Sequence, residues 1–241
     1  MQEANVELVN AGNAIALETR IEQGMDVDAE NETGWTLLHV AIFKNSVKCL
    51  RVLVQKGADV NKENMWNMTP IHFAAEEGHT ECLKVLVDAK ANLDPRGDDA
   101  GTPLHYAAYW GHKACVQILL VARAQLDIEN NGGHSALDVA IWRDQRECAE
   151  LLFHAGAKIS NVRIFPIPNW MKDIVTKHNN FKASFTVLYG ILRRRLDVPF
   201  LFNPVSTNVP PVVNIICSML TDTRYHASWN ICDTSGKKAK Y

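Results

Sequence analysis

Thr69-Pro70-Ile71-His72-Phe73-Ala74-Ala75-Glu76-Glu77-Gly78-His79 is the stretch whose reading decides the fold, because its opening recurs in register along the chain. Thr36-Leu37-Leu38-His39 stands 33 residues before it, Thr102-Pro103-Leu104-His105 stands 33 after, and Ser135-Ala136-Leu137-Asp138 follows at the same interval. Self-similarity at a period of this size is the mark of stacked supersecondary units. One such unit is too small to bury its own apolar face, so its neighbours must supply the core and the chain builds a solenoid.

Other columns keep the register. Ala41, Ala74, Ala107 and Ala140 fall two residues after the His or Asp column, where a small side chain lets two helices approach. Gly78-His79 and Gly111-His112 mark the turn out of the first helix, with Asn45 and Asp144 at the glycine position, both tolerant of left-handed backbone. Leu53, Leu86, Leu119 and Leu152 form the apolar stripe of a second helix. Thr or Ser opening the phrase suits an N-cap, and Pro70 and Pro103 take the first helical position, where a missing N–H costs nothing.

These residues resemble the ankyrin repeat motif closely. Gly57-Ala58-Asp59-Val60-Asn61 resembles the family's loop into the next β-hairpin finger, and Ala91-Asn92-Leu93-Asp94 and Ala124-Gln125-Leu126-Asp127 are looser versions. The resemblance covers residues 31–160, read as repeats 31–63, 64–96, 97–129 and 130–160, and extends to a degenerate capping repeat over 1–30. There Gly12, Leu17, Ile21 and Gly24 lie 33 before Asn45, Leu50, Val54 and Gly57, although the helix-start phrase is absent. Arg20, where later units carry Leu, suits a terminal unit whose outer face meets water. The fourth unit departs from the motif with Ala136 for Pro and Asp138 for His. The resemblance implies an all-α solenoid of helix-turn-helix units with β-hairpin fingers, and a protein-binding function.

Composition sets the outer bounds. An apolar fraction of 47% and a formal charge of −2 fit an ordinary soluble protein and show no excess of positive charge that would suggest nucleic acid. Met1-Gln2-Glu3-Ala4-Asn5 lacks a basic n-region and an apolar core, so no signal peptide is expected. The apolar runs are far shorter than a membrane span. The expected location is cytoplasmic or nuclear, and Asn31-Glu32-Thr33 and Asn67-Met68-Thr69 are then chance sequons.

Two columns invite a chemical reading. Cys49, Cys82, Cys115 and Cys148 also repeat, but equivalent residues of stacked helices lie ~8–10 Å apart, beyond the ~4.4–6.8 Å a disulfide spans. They read as small buried hydrophobes, and Cys217 and Cys232 carry no ligand spacing. His39, His72 and His105 could be zinc ligands or general bases, yet their spacing is that of the repeat itself. The family resemblance implies a structural side chain that hydrogen-bonds the helix-start turn and links neighbours. No Ser/His/Asp set, phosphate-cradling glycine loop or HExxH occurs. No catalytic residue, metal, cofactor or small-molecule substrate is therefore expected.

If the constant columns make the core, binding should use the variable ones. Seven and eight residues after the Thr or Ser stand Phe43 and Lys44, Glu76 and Glu77, Tyr109 and Trp110, and Trp142 and Arg143. The finger columns add Trp35, Met65, Trp66 and Met68, with Asp98 and Asp99 in the next finger. The resemblance places these on a concave surface. Four of the six tryptophans share this face, and Trp and Tyr dominate interface hot spots. The alternative is that single rings pack on adjacent fingers. Leu53 followed by Asp59-Val60-Asn61 also resembles the site that asparaginyl hydroxylases modify, which marks Asn61 as a target. The competing expectation is that Asn61 hydrogen-bonds its own hairpin.

The register stops at Asn161. Phe165-Pro166-Ile167-Pro168 reads as an extended connector, and a short helix runs from Asn169-Trp170 to about Asn179-Asn180. Phe181, Phe185, Leu188, Leu192 and Leu196 then fall at helical intervals, and Arg193-Arg194-Arg195 complements that helix's C-terminal dipole. A second apolar helix is expected over Val212 to Leu220, before a polar tail. Val209-Pro210-Pro211-Val212-Val213 with Ile215, Ile216 and Leu220 faintly resembles the opening of an F-box. Residues 161–241 are thus expected to form a helical C-terminal region that caps the last repeat. The leading functional expectation is a non-enzymatic interaction module or scaffold that binds an unidentified protein partner, not nucleic acid or membrane. The alternative is a substrate adaptor of a ubiquitin ligase, with the C-terminal segment docking the ligase.

Overall fold

The computed structural model describes residues 3–159 and 168–179. These form eleven helices and no strand. The first ten come in pairs: α1 (Glu3–Asn10) with α2 (Ala14–Glu22), α3 (Leu37–Phe43) with α4 (Val47–Gln55), α5 (Pro70–Glu76) with α6 (Thr80–Asp88), α7 (Pro103–Trp110) with α8 (Lys113–Val121), and α9 (Ala136–Trp142) with α10 (Arg146–His154). α11 spans 169–179. Helices this short are unstable alone in water, so stacking must hold them. The odd-numbered helices α1 to α9 pack in sequence as one layer and the even-numbered α2 to α10 as a second. The seam between the layers is the core: Leu38, Ile71, Leu104 and Leu137 from the first, and Leu53, Leu86, Leu119 and Leu152 from the second, all fully buried. The first unit has both helices although it lacks the helix-start phrase. Its buried Asn5 accepts from Arg20 at 3.4 Å.

The first helix of each of the four later units starts through one side-chain device, a capping box. The Thr69 N–H donates to Nδ1 of His72 (3.1 Å), which fixes Nδ1 as acceptor and leaves the proton on Nε2. Nε2–H then donates to the Gly101 carbonyl of the next finger at 3.2 Å. His39 joins Thr36 to the Met68 carbonyl, and His105 joins Thr102 to the His134 carbonyl, in the same way. Burial pushes the His39 and His72 imidazoles down to about 4, and lowers His105 as well. They are neutral structural linkers. In the fourth repeat Asp138 accepts the Ser135 N–H at 3.0 Å and the Ser135 hydroxyl at 2.8 Å, so α9 forms without Pro or His. A carboxylate cannot donate onward, and no further finger follows among the described residues.

The fingers differ from the β-hairpins the motif implies: they are tight turns without a strand ladder. Asn64 N–H donates to the Met68 carbonyl and Asn67 N–H to the Asn64 carbonyl, and the other fingers repeat this pattern. Single backbone bonds join successive fingers, from Met65 to Thr33, Asp98 to Trp66 and Asn131 to Asp99. At the turn out of each first helix Asn45, Gly78, Gly111 and Asp144 all adopt positive φ, between 51° and 76°. A Cβ at Gly78 would lie 2.7 Å from the His112 ring, which explains why glycine stands there. The His112 ring also donates to the Glu76 carbonyl, closing the end of α5 (2.8 Å).

α11 lies against the last repeat. Met171 is fully buried, Trp170, Ile174 and Val175 pack on the core, and His178 meets the Phe153 ring edge-on at 5.1 Å. The connector over 160–167, the amphipathic run from Phe181, the Arg193 to Arg195 cluster, the expected helix over 212–220 and the F-box-like string lie outside the described residues.

Candidate functional site

Stacking brings equivalent residues of adjacent repeats together, so side chains 33 residues apart become neighbours. Tyr109 at the end of α7 meets Trp142 at the end of α9, with centroids 6.2 Å apart, and meets Trp110 edge-on at 5.1 Å. Arg143 lays its guanidinium 4.2 Å from the Tyr109 ring and 5.8 Å from Trp142. Trp110 and Trp142 remain 49% and 55% exposed. Rings held this firmly yet half open to water present rigid apolar area at little conformational cost.

Glu76 on α5 extends this cluster toward the second repeat. The Trp110 indole beside its carboxylate favours the charged form. Burial, followed by the Glu77 charge, nevertheless holds the Glu76 carboxyl above the usual carboxylate range. Glu77 is exposed. At the tip of the second finger Met65 and Trp66 are exposed, at 61% and 45%.

A second cluster lies toward the N-terminal end. Trp35 is half-buried between Phe43 (5.8 Å), Phe73 (4.9 Å) and His39 (5.8 Å), so this ring packs on its neighbours. Phe43 is 47% exposed, and Lys44 stands over its ring at 5.3 Å.

Two sequence expectations need correction. Met68 is buried, not presented on the face: its N–H is tied to Asn64 Oδ1, its carbonyl accepts from His39, and the third finger covers its sulfur at Gly97. Asn61 bonds its own loop only through its backbone N–H, which donates to Asp59 Oδ1 at 2.9 Å, while its side chain reaches the next repeat. Its Oδ1 accepts the Asn92 N–H of the next repeat at 2.7 Å, as Asp28, Asp94 and Asp127 accept from Asp59, Gln125 and Lys158.

Sequence reasoning also missed Phe73 and Tyr106. They stand four residues after the N-cap, a column filled by Val40 and Val139 in the outer repeats, and each contacts the preceding repeat's histidine, at 5.7 and 5.5 Å. Tyr106 donates its hydroxyl to Asp99 at 2.8 Å, and burial with the Asp99 carboxylate pushes the phenol up. The signal was present, because two aromatics share that column.

No set of three or more metal-ligating side chains converges among the described residues, and none of their helices is long and apolar enough to cross a membrane. No curated protein matches the chain. The family model described as ankyrin repeats (3 copies) matches at residues 9–64, 60–130 and 91–162, well over half of the 241 residues. Period, capping histidines, finger turns and paired helices agree with that match: the chain belongs to the ankyrin repeat family.

Proposed function

We propose that this chain is a non-enzymatic scaffold or adaptor that holds a protein partner on the aromatic face of its second to fourth repeats. Ankyrin repeats generally mediate protein–protein interaction. The observation that carries the reading here is the Tyr109, Trp110, Trp142 and Arg143 cluster, two half-exposed indoles locked against a tyrosine and a guanidinium at the junction of two repeats. Hot spots have this composition and placement. Met65, Trp66, Glu76 and Glu77 continue the surface, while Phe43 and Lys44 border it beyond Trp35. A cytosolic or nuclear setting suits four free buried cysteines, since reducing compartments preserve thiols.

The test is affinity capture of the partner, then dissociation constants and melting temperatures for Trp110→Ala, Trp142→Ala and Leu119→Ala. Each tryptophan variant should lose roughly 2–4 kcal/mol of binding with little change in melting. Leu119→Ala should lose roughly 2–5 kcal/mol of stability and bind normally while folded. Normal binding by both folded tryptophan variants refutes the reading.

A further inference from the structure

The middle of this face is acidic as well as aromatic. Trp66 and Trp110 are 45% and 49% exposed, and around them stand Glu76, Glu77, Asp98 and Asp99. Neutral donors hold two of these carboxylates in place: the Asn67 amide on Asp98 at 2.6 Å, and the Tyr106 hydroxyl and Gly101 N–H on Asp99 at 2.8 and 2.9 Å. Such bonds orient a carboxylate and leave its charge uncompensated. Among the described residues no Lys, Arg or His nitrogen lies within 4.0 Å of any of the four.

The flanking repeats show what this stretch lacks. Eight residues after each N-cap the chain carries Lys44, Glu77, Trp110 and Arg143. Both cations of that column stack on a ring of their own face, Lys44 on Phe43 at 5.3 Å and Arg143 on Tyr109 at 4.2 Å. In the two middle repeats the column gives a carboxylate and an open indole, and among the described residues no cation lies over that indole.

We propose that this stretch receives an arginine side chain of the protein partner, flanked by apolar residues, with its guanidinium over the exposed indoles and its N–H groups toward Glu76 and Glu77. The inference rests on the binding-surface reading above and adds the chemistry of the occupant. Arginine fits better than lysine because a planar guanidinium stacks on an indole and donates to carboxylates in one pose. The half-buried Glu76, crowded by Glu77 and Asp99, gains most from a cation, and apolar flanks match Met65 and the free parts of the rings.

The experiment uses the full chain with 15N-labelled tryptophan and three probes: acetyl-Leu-Arg-Leu-amide, the same peptide with citrulline, which keeps the shape without the charge, and acetyl-Leu-Glu-Leu-amide. Indole N–H resonances, assigned by Trp→Phe variants, report binding. The arginine peptide should shift Trp66 and Trp110 in a saturable way, about tenfold more tightly than the citrulline peptide, and more weakly as salt rises. The double variant Glu76→Gln with Glu77→Gln should erase most of that preference. The citrulline comparison on the unaltered chain keeps the test independent of how that variant folds. Equal binding of arginine and citrulline peptides, preference for the acidic peptide, or no shift with any probe overturns the proposal. If the captured partner is lost by Trp110→Ala but held normally by the folded double glutamine variant, the binding surface stands and the arginine assignment falls.

Discussion

Acidification should loosen this protein through the histidines that join its repeats. His39 and His72 are fully buried, each spends Nδ1 as an acceptor and Nε2–H as a donor, and burial sets their folded-state values at about 4. An unfolded chain protonates a histidine near ~6.5, so below that pH the unfolded state binds more protons than the folded one. Their stability contribution is therefore complete above about 6.5 and is lost as the pH falls toward 4. At pH 5 the unfolded state gains about 1.5 pH units on each group, which is about 2 kcal/mol apiece and about 4 kcal/mol for the pair. His105, lowered for the same reason, adds to the loss. Glu76 acts with the opposite sign, since a carboxyl held above its ordinary value favours the folded state as pH falls, but it does so nearer the carboxylate range. A drop of about 4 kcal/mol is a large part of the ~5–15 kcal/mol that holds a domain together.

The assay is urea unfolding followed by tryptophan fluorescence and circular dichroism at pH 7.5, 6.5, 5.5 and 5.0. The expected midpoint is nearly flat from 7.5 to 6.5 and then falls steeply. His72→Gln keeps an acceptor and a donor without a titrating ring, so it should begin less stable at pH 7.5 and lose a substantial part, at most about half, of the acid-dependent slope. A midpoint that does not move between pH 7.5 and 5.0 would refute the reasoning, as would a double variant, His39→Gln with His72→Gln, that keeps the full slope.

Cys82, Cys115 and Cys148 have thiols that burial pushes up to about 11, and Cys49 is equally buried. In a chain with Cys217 and Cys232 replaced by Ser, all four should react with Ellman's reagent at the rate of unfolding, and rapid labelling without denaturant would contradict their place in the core. Ending the chain after Ser160 removes α11 and uncovers the core around Leu152 that Met171 closes. We expect a lower melting temperature or aggregation, while hydrogen exchange stays slow in α3 to α8, as nearest-neighbour coupling requires. Equal stability of the truncated and whole chains would show that α11 is no cap.

Where one column has one task, the sequence is legible. The Thr, His, Ala and Leu columns each answer a local need, namely a cap, a link to the next finger, a close helix approach or a buried stripe, and four repetitions make each need visible. Asn45 and Asp144 could be read as left-handed positions because glycine holds the same place in the two repeats between them. Legibility fails where a residue's surroundings come from another repeat. Met68 looks like Met65 in the sequence, but the Gly97 finger lies on its sulfur, and Gly97 is 29 residues away. Asn61 was read against its own hairpin because its real partner, the Asn92 N–H, is 31 residues on. Phe73 and Tyr106 share a column with valines, and their contacts, with the histidine of the preceding repeat, likewise come from another unit.

The same geometry ties the candidate surface to the stack beneath it. The contacts that carry the surface from one repeat to the next cross a junction: Glu76 beside Trp110 joins repeats two and three, and Tyr109 with Trp142 and Arg143 joins three and four. Buried links across the same junctions are His72 to Gly101 and His105 to His134. A substitution that slackens either link shifts two sets of rings relative to each other, and misplaced rings lose complementarity before any helix melts. Core and surface are therefore separable by residue but not by junction. Leu119 is a core residue of α8 that makes neither of those links, so its truncation can weaken the fold and leave the rings aligned. His72 and His105 cannot, because each holds both the register of the stack and the spacing of the face that a partner would read.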